Sequence, residues 1–189
     1  MKRADFILRN AKGNLLDVGY ACGTLHKKII DKLGRNNVYG LDIEAEIKDR
    51  MHKTGSAEKM PFKDNMFDCI VAGEVIEHLK KPEAFLVECN RTLKEEGRLI
   101  LTTPNRQSMI NRITHSYEAP AHINLFNRKE LVCLLKEKRF KIRKTKYFPY
   151  TEESNYGSRH KWSFTLRNLL HKILPNCLKE NMAIIAERA

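Results

Sequence analysis

The segment Leu15-Leu16-Asp17-Val18-Gly19-Tyr20-Ala21-Cys22-Gly23-Thr24-Leu25 constrains this chain more than any other. A short apolar run reads as a buried strand and two glycines bracket a turn. A helix then starts at once, with Leu25, Ile29, Ile30 and Leu33 on one side and Gly34 as its stop. Glycines at a strand-to-helix turn let the backbone bend sharply and approach a ligand, and the helix N-terminus offers its amides to an anionic group. The spacing is Gly-x-x-x-Gly with an acid just before it, so the dinucleotide fingerprint Gly-x-Gly-x-x-Gly is not met. An aspartate in that turn would repel a pyrophosphate, and suits a ligand that carries an ammonium group.

The same alternation continues along the chain. Strands are predicted at Leu15 to Val18, Val38 to Leu41, Gly55 to Ala57, Cys69 to Ala72, Arg98 to Thr102, Phe140 to Phe148 and Met182 to Ala186. Further helices are predicted from Glu83 to Leu93 after Pro82, from an Asn127 cap with Glu130 three residues on, and from Ser163 to Leu174 before Pro175. Strands separated by helices imply crossover units and a mostly parallel sheet covered on both faces. Such sheets bind ligands at the carboxyl ends of their strands. The second strand ends in Asp42, 19 residues beyond Gly23, where α/β nucleotide folds place a carboxylate that accepts ribose hydroxyls.

Composition narrows the class. With 189 residues and 42% apolar content, one domain spanning 1–189 is expected. No apolar run approaches a membrane span and no secretory leader is visible, so a cytoplasmic protein is expected. The five cysteines are scattered without a Cys-x-x-Cys pair and read as reduced packing residues. Residues 128–189 hold 15 Lys and Arg against 6 Asp and Glu, so +9 of the net +12 sits in the last third. Such a surface either attracts an anionic substrate or RNA, or is a solvated face kept for solubility.

The order and spacing of these pieces make the chain resemble the class I S-adenosylmethionine (SAM) dependent methyltransferases. The glycine-rich motif of that family falls on Asp17 to Gly23, its ribose acid on Asp42, its adenine-side loop on Ser56-Ala57-Glu58, and its fourth-strand motif on Phe67 to Glu74. The resemblance implies a Rossmann-like, doubly wound α/β sheet of about seven strands, mostly parallel with an antiparallel C-terminal strand. It implies SAM as cofactor and S-adenosylhomocysteine as product. Asp17, Gly19, Tyr20, Ala21, Gly23 and Gly73 would then surround the methionine end, Asp42 and Ile43 the ribose, and Ser56, Ala57, Glu58 and Met60 the adenine. Tyr20, Ala21 and Ser56 depart from the family's usual residues. If position 21 needs positive φ, alanine there costs about 1 kcal/mol.

On the substrate side stands Gly73-Glu74-Val75-Ile76-Glu77-His78-Leu79. If helical, it puts Glu74, Glu77 and His78 on one face. Three readings follow: His78 as a general base oriented by Glu77 or Glu74; Glu74, Glu77, His78 and His122 as ligands of Mg²⁺ or Mn²⁺; or a polar turn that only shapes the pocket. The Glu-x-x-Glu-His pattern is similar to the ubiquinone-type O-methyltransferases acting on phenols. It is also similar to the metal-dependent enzymes that 2′-O-methylate small RNAs, which would use the basic C-terminal third. A small-molecule acceptor is expected, with RNA as the alternative. A SAM- or nucleic-acid-binding module without turnover is the alternative of another class. Residues 106–120 and 150–162 are expected to be insertions over the acceptor.

Overall fold

The computed structural model describes residues 2–20, 23–44, 49–113, 122–149 and 169–189. Seven strands form one sheet: β1 (Leu15–Val18), β2 (Val38–Asp42), β3 (His52–Thr54), β4 (Phe67–Gly73), β5 (Leu93–Pro104), β6 (Phe140–Phe148) and β7 (Asn181–Arg188), in the order β3-β2-β1-β4-β5-β7-β6. Strands β1 to β5 pair in parallel, and β7 runs antiparallel between β5 and β6. This is the expected Rossmann-like sheet with its antiparallel C-terminal strand.

Both faces of the sheet are apolar because both are covered. Leu16 and Val18 of β1, Ile70 and Ala72 of β4, and Leu99 and Leu101 of β5 enter one core, with Phe85 and Leu86 of α3 (Pro82–Thr92) and Leu131 and Leu135 of α5 (Arg128–Glu137). The residues between them, Leu15, Cys69, Val71 and Ile100, enter the other core, with Phe6 and Ile7 of α1 (Arg3–Asn10) and Ile29 of α2 (Thr24–Leu33). The period of two divides each strand between two cores. Each fully buried Leu, Ile or Phe contributes roughly 1.5–3 kcal/mol on leaving water, so neither face tolerates a charge without a partner.

Several elements differ from expectation. Strand β3 lies at His52–Thr54, upstream of the predicted Gly55 to Ala57, because Gly40 to Asp42 select those residues as partners. Helix α1 had no reading in the sequence: its apolar pair Phe6 and Ile7 is adjacent, not helically spaced, and Phe6 is stabilised by Phe148, whose ring centroid is 5.3 Å away. Asn127 caps α5 as expected, its side chain accepting from the Glu130 amide at 3.0 Å while Glu130 accepts from the Asn127 amide. A short α4 (Met109–Ile113) follows β5, and residues 169–173 of the predicted 163–174 helix are helical. The expected insertion at 150–162, and most of the second half of 106–120, lie outside the described residues. Cys69 and Cys89 are buried, whereas Cys133 and Cys177 are exposed, which corrects their reading as packing residues. Among the described residues no helix is long and apolar enough to cross a membrane.

Candidate functional site

The carboxyl ends of β1, β2 and β4 open into a cavity of about 420 Å³, within the size range of small-ligand sites. Gly19 shapes its floor. Its φ is +72°, its amide donates to Leu41 O at 2.8 Å, and a Cβ there would lie 2.7 Å from Val75 Cγ2. Any side chain at this position would meet both backbone strain and a steric block.

Of the residues the resemblance assigns to the cofactor, Gly19, Asp42, Ile43, Ser56, Ala57 and Glu58 are on the cavity wall. Asp17, Tyr20, Gly23, Met60 and Gly73 are not among the wall residues. Asp17 is an inward residue of β1, and its carboxylate turns beneath the loop to His26. Tyr20 is buried, Gly23 is the N-cap of α2, Met60 packs in the core, and Gly73 ends β4. Ala21 lies outside the described residues. Val75, Leu79 and Lys80 complete the wall without a signal in the sequence beyond their proximity to His78.

These residues fit SAM. Asp42 sits at the mouth with one oxygen holding the Glu44 amide at 3.0 Å, so a carboxylate is fixed where a ribose diol would donate. Beside it Ile43 is 73% exposed, an apolar side chain left in water that a purine ring would cover. Ala57, Leu41 and Val18 supply the apolar remainder. Glu58 accepts from the Lys81 amide at 2.8 Å, which ties the Ser56 to Glu58 loop to the start of α3.

The Glu74 to His78 segment is not one helix. Glu74 adopts φ +59° and only Ile76–His78 forms a 3₁₀ turn. The expected common face of Glu74, Glu77 and His78 is therefore broken. Glu74 instead binds Thr102 Oγ1 and Arg3 Nη1, each at 2.9 Å, and stays on the cavity wall. Glu77 turns inward, fully buried, with Thr103 Oγ1 donating to one oxygen at 3.0 Å and the other oxygen left without a hydrogen bond. Burial, then the neighbouring Glu74 charge, push its carboxyl well above the usual range.

The 122–124 segment is stitched to this turn, since the Ile123 and Asn124 amides both donate to Glu77 O, at 2.8 and 2.9 Å. That brings His122 beside His78, with ring centroids 5.0 Å apart. One ligand atom from each of Glu77, His78 and His122 lies within 4.8 Å of the others. Of the four residues expected to meet, three do, and Glu74 is outside the group. A half-paired buried carboxylate facing two imidazoles is a donor set that a divalent ion would complete.

Away from the cavity, α5 and β6 enclose an open groove of about 1050 Å³ whose wall includes Arg128, Lys136, Arg139, Lys141, Arg143 and Lys144 and no carboxylate side chain.

A family model described as a methyltransferase domain matches residues 2–145. An uncharacterised protein of Methanocaldococcus jannaschii is 28% identical over 140 residues, covering 69% of this chain and 65% of that protein. The mitochondrial ubiquinone biosynthesis O-methyltransferase of Bos taurus is 33% identical over 112 residues, covering 50% and 30%. The chain thus spans less than two thirds of these relatives. A solved SAM dependent methyltransferase from Archaeoglobus fulgidus superposes with TM-score 0.70 at 18% identity, over 98% of this chain and 92% of that one, which shows the fold.

Proposed function

This chain belongs to the class I SAM-dependent methyltransferases, and from that premise we propose that it methylates a hydroxyl, or a comparable nucleophile, on a small molecule. One observation carries the reading: His78 both lines the cofactor cavity and belongs to the cluster with Glu77 and His122. When bound, SAM supplies an electrophilic methyl group on its sulfonium. The chain's own tasks are to hold the nucleophile in line, exclude water and take up a proton. As a general base, His78 would take that proton from the acceptor. Alternatively, Glu77, His78 and His122 would hold a divalent ion, Mg²⁺ or Mn²⁺, whose charge would acidify a bound hydroxyl, with His78 then a ligand and not the base. The name of the bovine relative supports a small acceptor.

Incubation with methyl-labelled SAM, Mg²⁺ or Mn²⁺ and a panel of phenols should yield labelled product, and His78→Ala should lower turnover by about 100-fold or more. Full activity of that variant would remove both roles of His78. Cofactor binding by the wild type without any turnover would favour the binding-module reading. The basic groove supports one second reading, an RNA acceptor. In that case binding would weaken steeply with salt, and a neutral acceptor would show no such slope.

A further inference from the structure

Beneath the glycine-rich turn lies a second set of ionisable groups, none of which lines the cofactor cavity. His26 Nδ1 is 3.0 Å from Asp17 Oδ2, His26 Nε2 is 3.0 Å from His52 Nε2, and His52 Nδ1 is 2.8 Å from Asp49 Oδ1. Asp17, His26 and His52 are buried, on β1, α2 and β3, while Asp49 is exposed and paired with Arg35 at 3.3 Å. The four side chains form a line from the inside of the cofactor turn to the surface.

Counting protons constrains this line. Each of its three links needs one hydrogen. With both carboxylates ionised, each Nδ1 must donate outward, and one of the facing Nε2 atoms must carry the third proton. With two protons, two lone pairs would face each other at 3.0 Å; with four, two N–H groups would collide. The line therefore closes at one proton content and opens on either side of it. The Tyr20 ring packs on both imidazoles, with centroids 4.7 and 5.1 Å away. Gly40 makes room for this stack: a Cβ there would lie 2.6 Å from His52 Cδ2 and 2.7 Å from the Tyr20 ring. Tyr20 in turn follows Gly19 on the cavity wall, and its carbonyl accepts from the Gly23 amide at 3.3 Å at the far end of the turn.

We propose that His26 and His52 are positioning residues for the cofactor turn: the Asp17–His26–His52–Asp49 line holds Tyr20, and with it the turn, only while its three bonds are filled, so cofactor binding is linked to the line's proton content. The proposal rests on the reading of the cavity as a SAM site. Among the described residues, the charged and titratable groups facing Asp17 are His26, His52 and Asp42, and Asp49 faces His52 and Arg35. Burial raises the Asp17 carboxyl despite the His26 hydrogen bond, while the His52 hydrogen bond holds Asp49 far below the usual carboxylate range. The inner end of the line thus favours holding a proton and the outer end favours releasing one.

Calorimetric titration of the full chain with S-adenosylhomocysteine tests this, from about pH 5 to about pH 9, in buffers of different ionisation enthalpy. Wild type should pass through an affinity optimum, with weakening of at least about fivefold on either side and with net proton exchange. Asp49→Asn, which removes the outer charge but keeps an acceptor for the Met51 and His52 amides, and His52→Phe, which keeps a ring for Tyr20, should both flatten that profile. Their affinity at the wild-type optimum should fall by at least about fivefold. Binding by wild type with a flat profile and no proton exchange would overturn the linkage while leaving the cofactor site intact, as would an Asp49→Asn profile equal to the wild type. Absence of binding at any pH would overturn the cofactor reading itself, and the linkage with it.

Discussion

The two histidine clusters flank the same cavity and treat their protons differently. In the line beneath β1, every ring nitrogen of His26 and His52 has a partner and the end carboxylate is held at the surface by Arg35. At the end of β4, the Glu77 carboxylate has one filled oxygen and one that is buried and empty-handed. A buried polar atom without a partner destabilises the fold by roughly 1–3 kcal/mol. The contrast sets a cluster with an open acceptor position apart from one whose ring nitrogens are all partnered.

The sharpest way to break this contrast is to exchange the expected consequences. His122→Ala should lower turnover by about 100-fold or more while leaving the thermal midpoint nearly unchanged, as measured by labelled methyl transfer and calorimetry. Equal losses of stability and activity would assign His122 to packing. Gly40→Ala should do the reverse in the closed line. The added methyl meets the Tyr20 and His52 rings, so overpacking should cost about 1–3 kcal/mol. The melting temperature should fall by roughly 2–12 °C. An unchanged melting temperature would mean that the rings yield freely.

The smallest effect carries the opposite sign. Because the folded-state pKa of Glu77 is raised, its contribution to stability is fully present only below the unfolded carboxyl value. That contribution is lost as pH rises through the folded value. A neutral amide escapes this loss. In metal-free protein near pH 7, Glu77→Gln should therefore stabilise by roughly 1 kcal/mol, or 2–4 °C, while removing activity. A lower melting temperature would show that Thr103 and the histidines already compensate the charge.

Much of this architecture was legible in the sequence, and the reasons differ by element. Strands β1 and β6 have the predicted bounds: Leu15, Leu16 and Val18 lead directly to the turn at Gly19, and Phe140, Ile142, Tyr147 and Phe148 carry an extended run after Arg139. Asp42 on the cavity wall followed from its spacing beyond Gly23, whereas Gly19 and Ser56 to Glu58 followed from the family resemblance. Glu77, His78 and His122 could be named as a group, but the left-handed backbone at Glu74 could not, since it depends on Thr102 and Arg3, 28 and 71 residues away. The relay under the turn was invisible for the same reason. Its four members lie on separate elements, and nothing in Asp17 alone shows that its carboxylate points away from the ligand.

The sheet's two margins carry a further consequence. One margin is β3, three residues long; the other is β6, which carries Lys141, Arg143, Lys144 and Lys146 among nine residues. A short edge offers too few free backbone groups to template a foreign strand, and a row of cations repels a second copy of itself. Among the described residues, four cations of the last third therefore stand on the longer margin. Such a row of cations disfavours pairing of this margin with a second copy of itself.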